Sequence, residues 1–132
     1  MALSFDKALG IHQKALEVRV QRAEVLADNL ANADTPGYKA RDLDFRAILA
    51  GEAARGNRLP LERTHEGHIP DDSSAAEGDL LYRVPVQPSI DGNTVDTQIE
   101  SAEFARNALD FQTSFQFLNS KFKGLVTAIK GE

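Results

Sequence analysis

Thr64-His65-Glu66-Gly67-His68, with Asp71 and Asp72 close behind, is the densest group of side chains able to do chemistry in this chain. Two imidazoles beside carboxylates are donors that a zinc ion takes. The spacing argues against such a site. The helical zinc motif His-Glu-x-x-His sets its histidines one turn apart on one face, whereas these are interrupted by Gly67 in a loop-like segment, with no distant third ligand. The carboxylate pairs Asp42/Asp44 and Asp71/Asp72 could exchange protons, but acid–base work needs a desolvated pocket that moves a pKa. Nothing around them predicts one, and they read as solvated surface. There is no Gly-rich phosphate loop, and the three histidines build no recognisable Ser-His-Asp set. No catalytic residue, metal site or cofactor is therefore expected.

Composition narrows the remaining classes. The chain has 132 residues, which bounds it at one domain, and it has no Cys for disulfides or thiolate ligands. Its 15 basic residues face 20 acidic ones, a net charge of −5, which disfavours nucleic acid as a partner. No apolar run approaches the ~18 residues of a membrane span. The start, Met1-Ala2-Leu3-Ser4-Phe5-Asp6, lacks the basic and apolar regions of a cleavable secretory signal, so export would need another route.

The elements come next. Phe5 to Ala33 reads as a helix about 43 Å long, with Ser4 as N-cap and Asp6 in the first turn. Leu9, Leu16, Ala23 and Leu30 recur at heptad spacing, with Gln13, Val20 and Ala27 between them. This is a coiled-coil seam of small volume. Leu43, Phe45 and Ile48 form an extended, then briefly helical, apolar patch. Residues 50 to 79 are Gly-punctuated and rich in charge, Ser and Ala, and the run Pro70–Gly78 within them reads as a mobile loop. Leu80–Val84 is a short strand held to an edge by Pro85 and Pro88, and Asp91-Gly92-Asn93 is a turn. A second helix is expected from Asn93 or Thr94, with Asp96 in its first turn and Thr97-x-x-Glu100 as a capping-box match. Its bulky seam is Phe104, Ala108, Phe111, Phe115, Leu118, Phe122, Leu125 and Ile129. Lys130 suits the helix end, and Gly131 stops it. The expected fold is mainly α: two long terminal helices forming a coiled coil, joined through a Pro/Gly turn, an irregular middle and a short extended segment. The divisions are 1–34, 35–92 and 93–132, together one axial domain.

Between helix and strand lies the most telling stretch, Ala31-Asn32-Ala33-Asp34-Thr35-Pro36-Gly37-Tyr38. Pro36 drives Thr35 out of the α region. Pro36-Gly37 suits the centre of a type II turn, where Gly supplies positive φ. Asn32 can cap the helix, and the Tyr38 ring can pin the reversed chain against its own helix or a neighbour.

This stretch followed by Phe45 resembles the N-terminal signature of bacterial flagellar rod and hook proteins. Asp42-Leu43-Asp44-Phe45, His68-Ile69-Pro70, Leu80-Leu81-Tyr82-Arg83-Val84-Pro85 and Asp91-Gly92-Asn93-Thr94-Val95-Asp96 extend the likeness over most of the chain. With no large inserted domain, they point to the short proximal members of the basal-body rod family. The resemblance implies a structural, non-enzymatic subunit exported by the type III route without a cleaved signal. It implies assembly with copies of itself, other rod proteins, the rod-base adaptor and the membrane motor ring, in a rod that crosses the periplasm and carries torque to the hook. Phe5-x-x-x-Leu9 is similar to the aromatic-x-x-x-hydrophobic element read by the export gate of such substrates; two such residues are also ordinary neighbours on a helix face.

The phenylalanine seam has two readings: the core of a self-contained helix pair, or a face completed by neighbouring subunits. A two-helix unit buries little surface alone, which favours neighbours. The competing class is a soluble helical adaptor or export chaperone, which would form a discrete oligomer rather than a polymer.

Overall fold

A computed structural model describes residues 9–56 and 80–131. The expectations for Ser4, Phe5, Asp6, His65, His68, Asp71 and Asp72, and for the loop read at Pro70–Gly78, lie outside the described residues. The described part is mostly helical: α1 (Ile11–Ala31), β1 (Arg41–Leu43), α2 (Phe45–Gly56), β2 (Leu80–Tyr82) and α3 (Thr97–Lys130).

Within the described residues Leu9 is helical, and Gly10 interrupts the helix before α1 runs on from Ile11. The Gly10 φ of 57° lies in the left-handed region that glycine adopts without steric cost. The other end closes on Asn32. Its backbone N–H donates to Asp28 O and Asn29 O, and its side-chain amide donates to Asp28 O at 2.8 Å. Helix α3 starts at Thr97, one turn after the expected Asn93 or Thr94. Its N-cap is Asp96, whose Oδ1 accepts from the N–H groups of Gln98 at 3.0 Å and Ile99 at 3.3 Å. Glu100, assigned to a capping box by the sequence, is instead drawn into the interior. At its far end Gly131 takes φ 73° and donates its N–H to Thr127 O, closing the last turn. Among the described helices none is long and apolar enough to cross a membrane.

The long helices run antiparallel against each other. His12 meets Phe117, Arg19 meets Asn107 and Asp110, Arg22 meets Glu103, and Asn29 meets Glu100. At about 1.5 Å per residue, the 34 residues of α3 span roughly 51 Å, far beyond the 21 residues of α1 at about 32 Å. The strands make a small antiparallel ribbon, with Arg41 opposite Tyr82, Asp42 opposite Leu81 and Leu43 opposite Leu80. It lies beside α1, with α2 following after Asp44, whose carboxylate caps α2 by accepting from the N–H groups of Arg46 and Ala47 at 3.0 Å.

The helices do not meet along the seams that the heptads pick out. On α1 the buried residues are Ala15, Val18, Leu26 and Asn29, with Arg22 nearly enclosed. Gln13, Val20 and Ala27 of the expected seam are exposed, and Leu16, Ala23 and Leu30 are half-buried. On α3 the inner stripe is Glu100, Glu103, Asn107, Asp110 and Ser114. Along Ala15–Asn29 and Glu100–Ser114 both stripes are displaced toward the N-terminus by about one residue, a rotation of about 100°, whereas Leu9, Leu118 and Leu125 of the expected seams are buried or half-buried. Polar contacts between the helices accompany this rotation: Arg22 with Glu103, Asn29 with Glu100, Arg19 O with the Asn107 amide, and Arg19 with Asp110. Among the described residues the apolar core is small: Leu9, Ala15, Val18, Leu26, Ala40 and Leu43.

Candidate functional site: a clamped signature loop and an outward phenylalanine face

The signature stretch leaves α1 through a turn closed by the Tyr38 N–H donating to Thr35 O at 3.3 Å. Gly37 has φ 73°. The loop is held from outside by the Asp91-Gly92-Asn93-Thr94 turn. Gly37 N–H donates to Asp91 O at 2.9 Å, and Thr94 N–H donates to Tyr38 O at 3.0 Å. Thr94 Oγ1 accepts from Ala40 N–H at 2.7 Å. The buried Asn93 amide donates to Asn32 O at 3.0 Å, Ala33 O at 2.8 Å and Thr35 O at 2.9 Å. Two amide hydrogens serve three carbonyls, so one hydrogen is shared. The two positive-φ glycines face each other here: a Cβ on Gly92 would lie 3.8 Å from Gly37 Cα.

Asn29 fixes the loop from inside. Its amide donates to Arg41 O at 2.7 Å and to Glu100 Oε2 at 3.0 Å. Its carbonyl accepts from Arg41 N–H at 3.1 Å and from the Tyr38 hydroxyl at 3.4 Å. Both donors and both lone pairs of a side chain that is 0% exposed are thereby used. Tyr38 is pinned against its own helix.

An ion network extends from this point. Arg22 grips Asp42 with two bonds, Nε to Oδ1 at 2.8 Å and Nη2 to Oδ2 at 2.9 Å, and reaches Glu103 Oε2 at 2.8 Å. Arg83 Nη2 donates to Asp42 Oδ2 at 2.6 Å. Arg83 Nη1 lies 2.8 Å from Glu100 Oε1, off hydrogen-bond alignment, so that contact is coulombic. The chain Glu103–Arg22–Asp42–Arg83–Glu100–Asn29 joins both long helices to the ribbon. The bonds from Asp42 raise the Arg22 pKa against the opposing effect of burial, and Glu103 adds to the rise. Burial alone would raise the Asp42 carboxyl. The bonds and charge of Arg22, the Leu43 N–H and the charge of Arg83 outweigh it and hold the group below its ordinary value. Asp42 is thus not the solvated surface carboxylate that the sequence predicts. Among the described residues no group of three or more His, Cys, Asp or Glu is arranged to hold a metal.

The phenylalanine stripe points away from all of this. Phe104, Phe111, Phe115 and Phe122 are all exposed, Phe115 at 55% and Ile129 at 85%. Ala108 is exposed, while Leu118 and Leu125 are half-buried. Leu109, Phe117 and Val126 widen the apolar surface. Of the α1 seam residues, Leu9 is buried and Val20 exposed. Within the signature, Ala31, Asp34, Thr35 and Pro36 are exposed, Asn32, Ala33 and Tyr38 half-buried, and Phe45 half-buried under Arg19.

The network residues Arg22, Asn29, Arg83, Glu100 and Asn93 were not singled out as functional by the sequence reading. The signal was present: Arg22 and Asn29, and likewise Glu100 and Asn107, are seven residues apart, polar heptads running beside the apolar ones.

The flagella basal body rod protein family model matches residues 9–39, which cover α1 and the signature loop. The flagellar basal body rod protein FlgB of Aeromonas hydrophila is 56% identical over 133 residues, covering 100% of this chain and 99% of that protein. The FlgB proteins of Salmonella typhimurium and Escherichia coli K12 are 47% and 45% identical, each covering 95% or more of this chain and 94% or more of its own length. Identity of this degree across the ribbon, the clamp and both helices shows that the chain belongs to the FlgB family of flagellar basal body rod proteins, a structural family not known to be enzymatic.

Proposed function

We propose that this chain is a subunit of the flagellar rod that polymerises through the outer faces of its terminal helices and carries torque from the motor ring to the hook. The single observation that carries this reading is the exposed stripe of α3. Isolated exposed apolar residues are ordinary, but four phenylalanines at heptad spacing along one face are a surface for another protein. Neighbouring helices seated there would form inter-subunit coiled coils, and contacts between unlike surfaces that fail to close generate a helical tube. The clamped signature loop would fix the angle at which the ribbon leaves that helical layer. Copies of itself, other rod proteins, the rod-base adaptor and the motor ring are the proposed neighbours. The proposed location is the rod across the periplasm, reached through the type III export apparatus with Phe5 and Leu9 as the recognised pair. The adaptor or chaperone alternative is not favoured, since the relatives are named as rod proteins.

The test is deletion of the gene with electron microscopy of purified basal bodies. Loss of the rod beyond the membrane ring, restored by the intact gene but not by a Phe111→Ser, Phe115→Ser variant that still folds, is the expected result. Intact rods in the deletion strain would overturn it.

A further inference from the structure

Where α1, α3 and the start of α2 converge, a groove of about 360 Å3 opens beside the ion network. Arg19, Arg22, Arg46 and Arg106 line it, together with Phe45 and the carboxylates Asp44, Glu103 and Asp110. The acids are already engaged. Glu103 binds Arg22 at 2.8 Å, Asp110 lies 3.0 Å from Arg19, and Asp44 caps α2. Arg46 and Arg106 are exposed, and neither has an ion-pair partner among the described residues.

The arginines are also crowded. The Arg19 guanidinium lies 3.6 Å over the Phe45 ring, and its Nε is buried without a hydrogen-bond partner. Burial lowers the Arg19 pKa. Asp110 opposes this, and the neighbouring charges of Arg22 and Arg106 lower it further. Like charges held together in a partly desolvated groove cost free energy that an incoming anion would recover. The forked donors suit a carboxylate, which a guanidinium group can grip in bidentate fashion. The chain as a whole carries five more acidic than basic residues, so a second copy is itself a source of such carboxylates.

We propose that this groove is an inter-subunit socket that takes an acidic side chain from a second copy of this chain. The inference rests on the rod reading, and it adds a polar contact distinct from the phenylalanine face. An acidic residue seated between Arg46 and Arg106 would fix the axial register between copies, since charge pairs specify orientation more than they add affinity.

The test uses the full chain expressed in the deletion strain. Its lack of Cys lets a single Cys carrying a photocrosslinker be placed at position 46 or 106 and read in purified basal bodies by peptide mass spectrometry. The expected product joins the groove to an Asp- or Glu-containing peptide of another copy. In parallel, Arg46→Glu, Arg106→Glu should lower rod yield and swimming about tenfold or more through like-charge juxtaposition. Arg46→Lys, Arg106→Lys should retain most of both, with all variants matching the parent in helical circular dichroism. Normal rods with the Glu pair, or crosslinks confined to other proteins, would overturn the socket while leaving the rod reading intact. Absence of the unaltered chain from basal bodies would overturn the rod reading and the socket with it.

Discussion

The two faces of α3 are arranged in the reverse of the usual order. The face against α1 carries Glu100, Glu103, Asn107 and Asp110, while the face toward solvent carries Phe104, Phe111, Phe115 and Phe122. An amphipathic helix ordinarily buries its apolar stripe in its own domain. Here the internal face supplies geometry, through paired charges and amide hydrogen bonds, and the external face carries the large apolar side chains. Buried polar contacts specify register at a cost in stability, whereas apolar area supplies association energy with little directional preference. The chain therefore separates the two tasks. Shape is fixed within the subunit, and the apolar area proposed to drive assembly is left on its surface.

If the inner face fixes the fold, its disruption should give the largest loss of stability. Glu100→Ala leaves Arg83 without one of its two acidic partners and takes from Asn29 the acceptor of one of its bonds. Breaking a buried pair from one side costs about 3–5 kcal/mol. Urea unfolding followed by circular dichroism should show that loss. Glu100→Gln keeps an oxygen for Asn29 and should lose less. Equal stability of Glu100→Ala and the parent would mean that the polar face is incidental to the fold.

Acid should weaken the ion network that adjoins this face, without mutation. The folded-state pKa of Asp42 lies below its ordinary value, so its contribution is complete above the unfolded-state value of about 3.9. It is lost as pH falls through the lower folded-state value. The stability difference between the parent and Asp42→Asn, compared by urea midpoints at pH 7 and pH 3, should therefore shrink at the lower pH. A difference that grows on acidification would reverse the assigned sign.

How much of this contrast was legible beforehand depends on the kind of signal. The long helices, the short strand after Gly78, the Asp91–Asn93 turn and the stop at Gly131 all followed from periodicity and from Gly, Pro and Asp chemistry. The direction in which each helix faces did not. Heptad reading assumes that the bulkiest stripe is the one buried, and that assumption fails when the bulky stripe is left outside. Asn29 carries no local signal of burial and Glu100 reads as a capping-box residue, because a polar residue in a helix is normally solvated and only a partner 71 positions away makes it otherwise. Asn93 reads as part of a turn or as the start of the second helix, because its clamping role depends on three carbonyls of the distant signature loop. Asp42 was read as surface for the same reason, its partners Arg22 and Arg83 being brought in by two other elements.

The signature loop gives a smaller, purely local effect. Gly37 sits at φ 73° with open space where a Cβ would project, so a substitution there meets backbone strain and no clash. A left-handed conformation costs an L-residue about 1–2 kcal/mol, and more for a β-branched side chain. Gly37→Val should lower the unfolding free energy by at least that amount and impair rod assembly. Gly37→Ala should fall between the two. Unchanged stability in both would show that the loop relaxes to another conformation despite the Asp91 and Thr94 bonds.

The smallest expected effect on stability is the one that decides the comparison. Ile129→Ser removes an apolar side chain that is 85% exposed, and the subunit should change by no more than about 0.5 kcal/mol. Phe115→Ser, at a residue 55% exposed, forfeits at most the buried part of a contribution of about 1.5–3 kcal/mol. Both should nevertheless reduce rod formation strongly, because each removes area from the face proposed to meet other subunits. Glu100→Ala should show the opposite ratio, with a large loss of stability and an assembly defect that follows from misfolding and is relieved at low temperature. Measuring folding and rod yield for all three variants places each residue on one of two axes. If Phe115→Ser proves as destabilising to the isolated chain as Glu100→Ala, the stripe is part of the subunit's own core in solution, and the division between an inner face that shapes and an outer face that binds is lost.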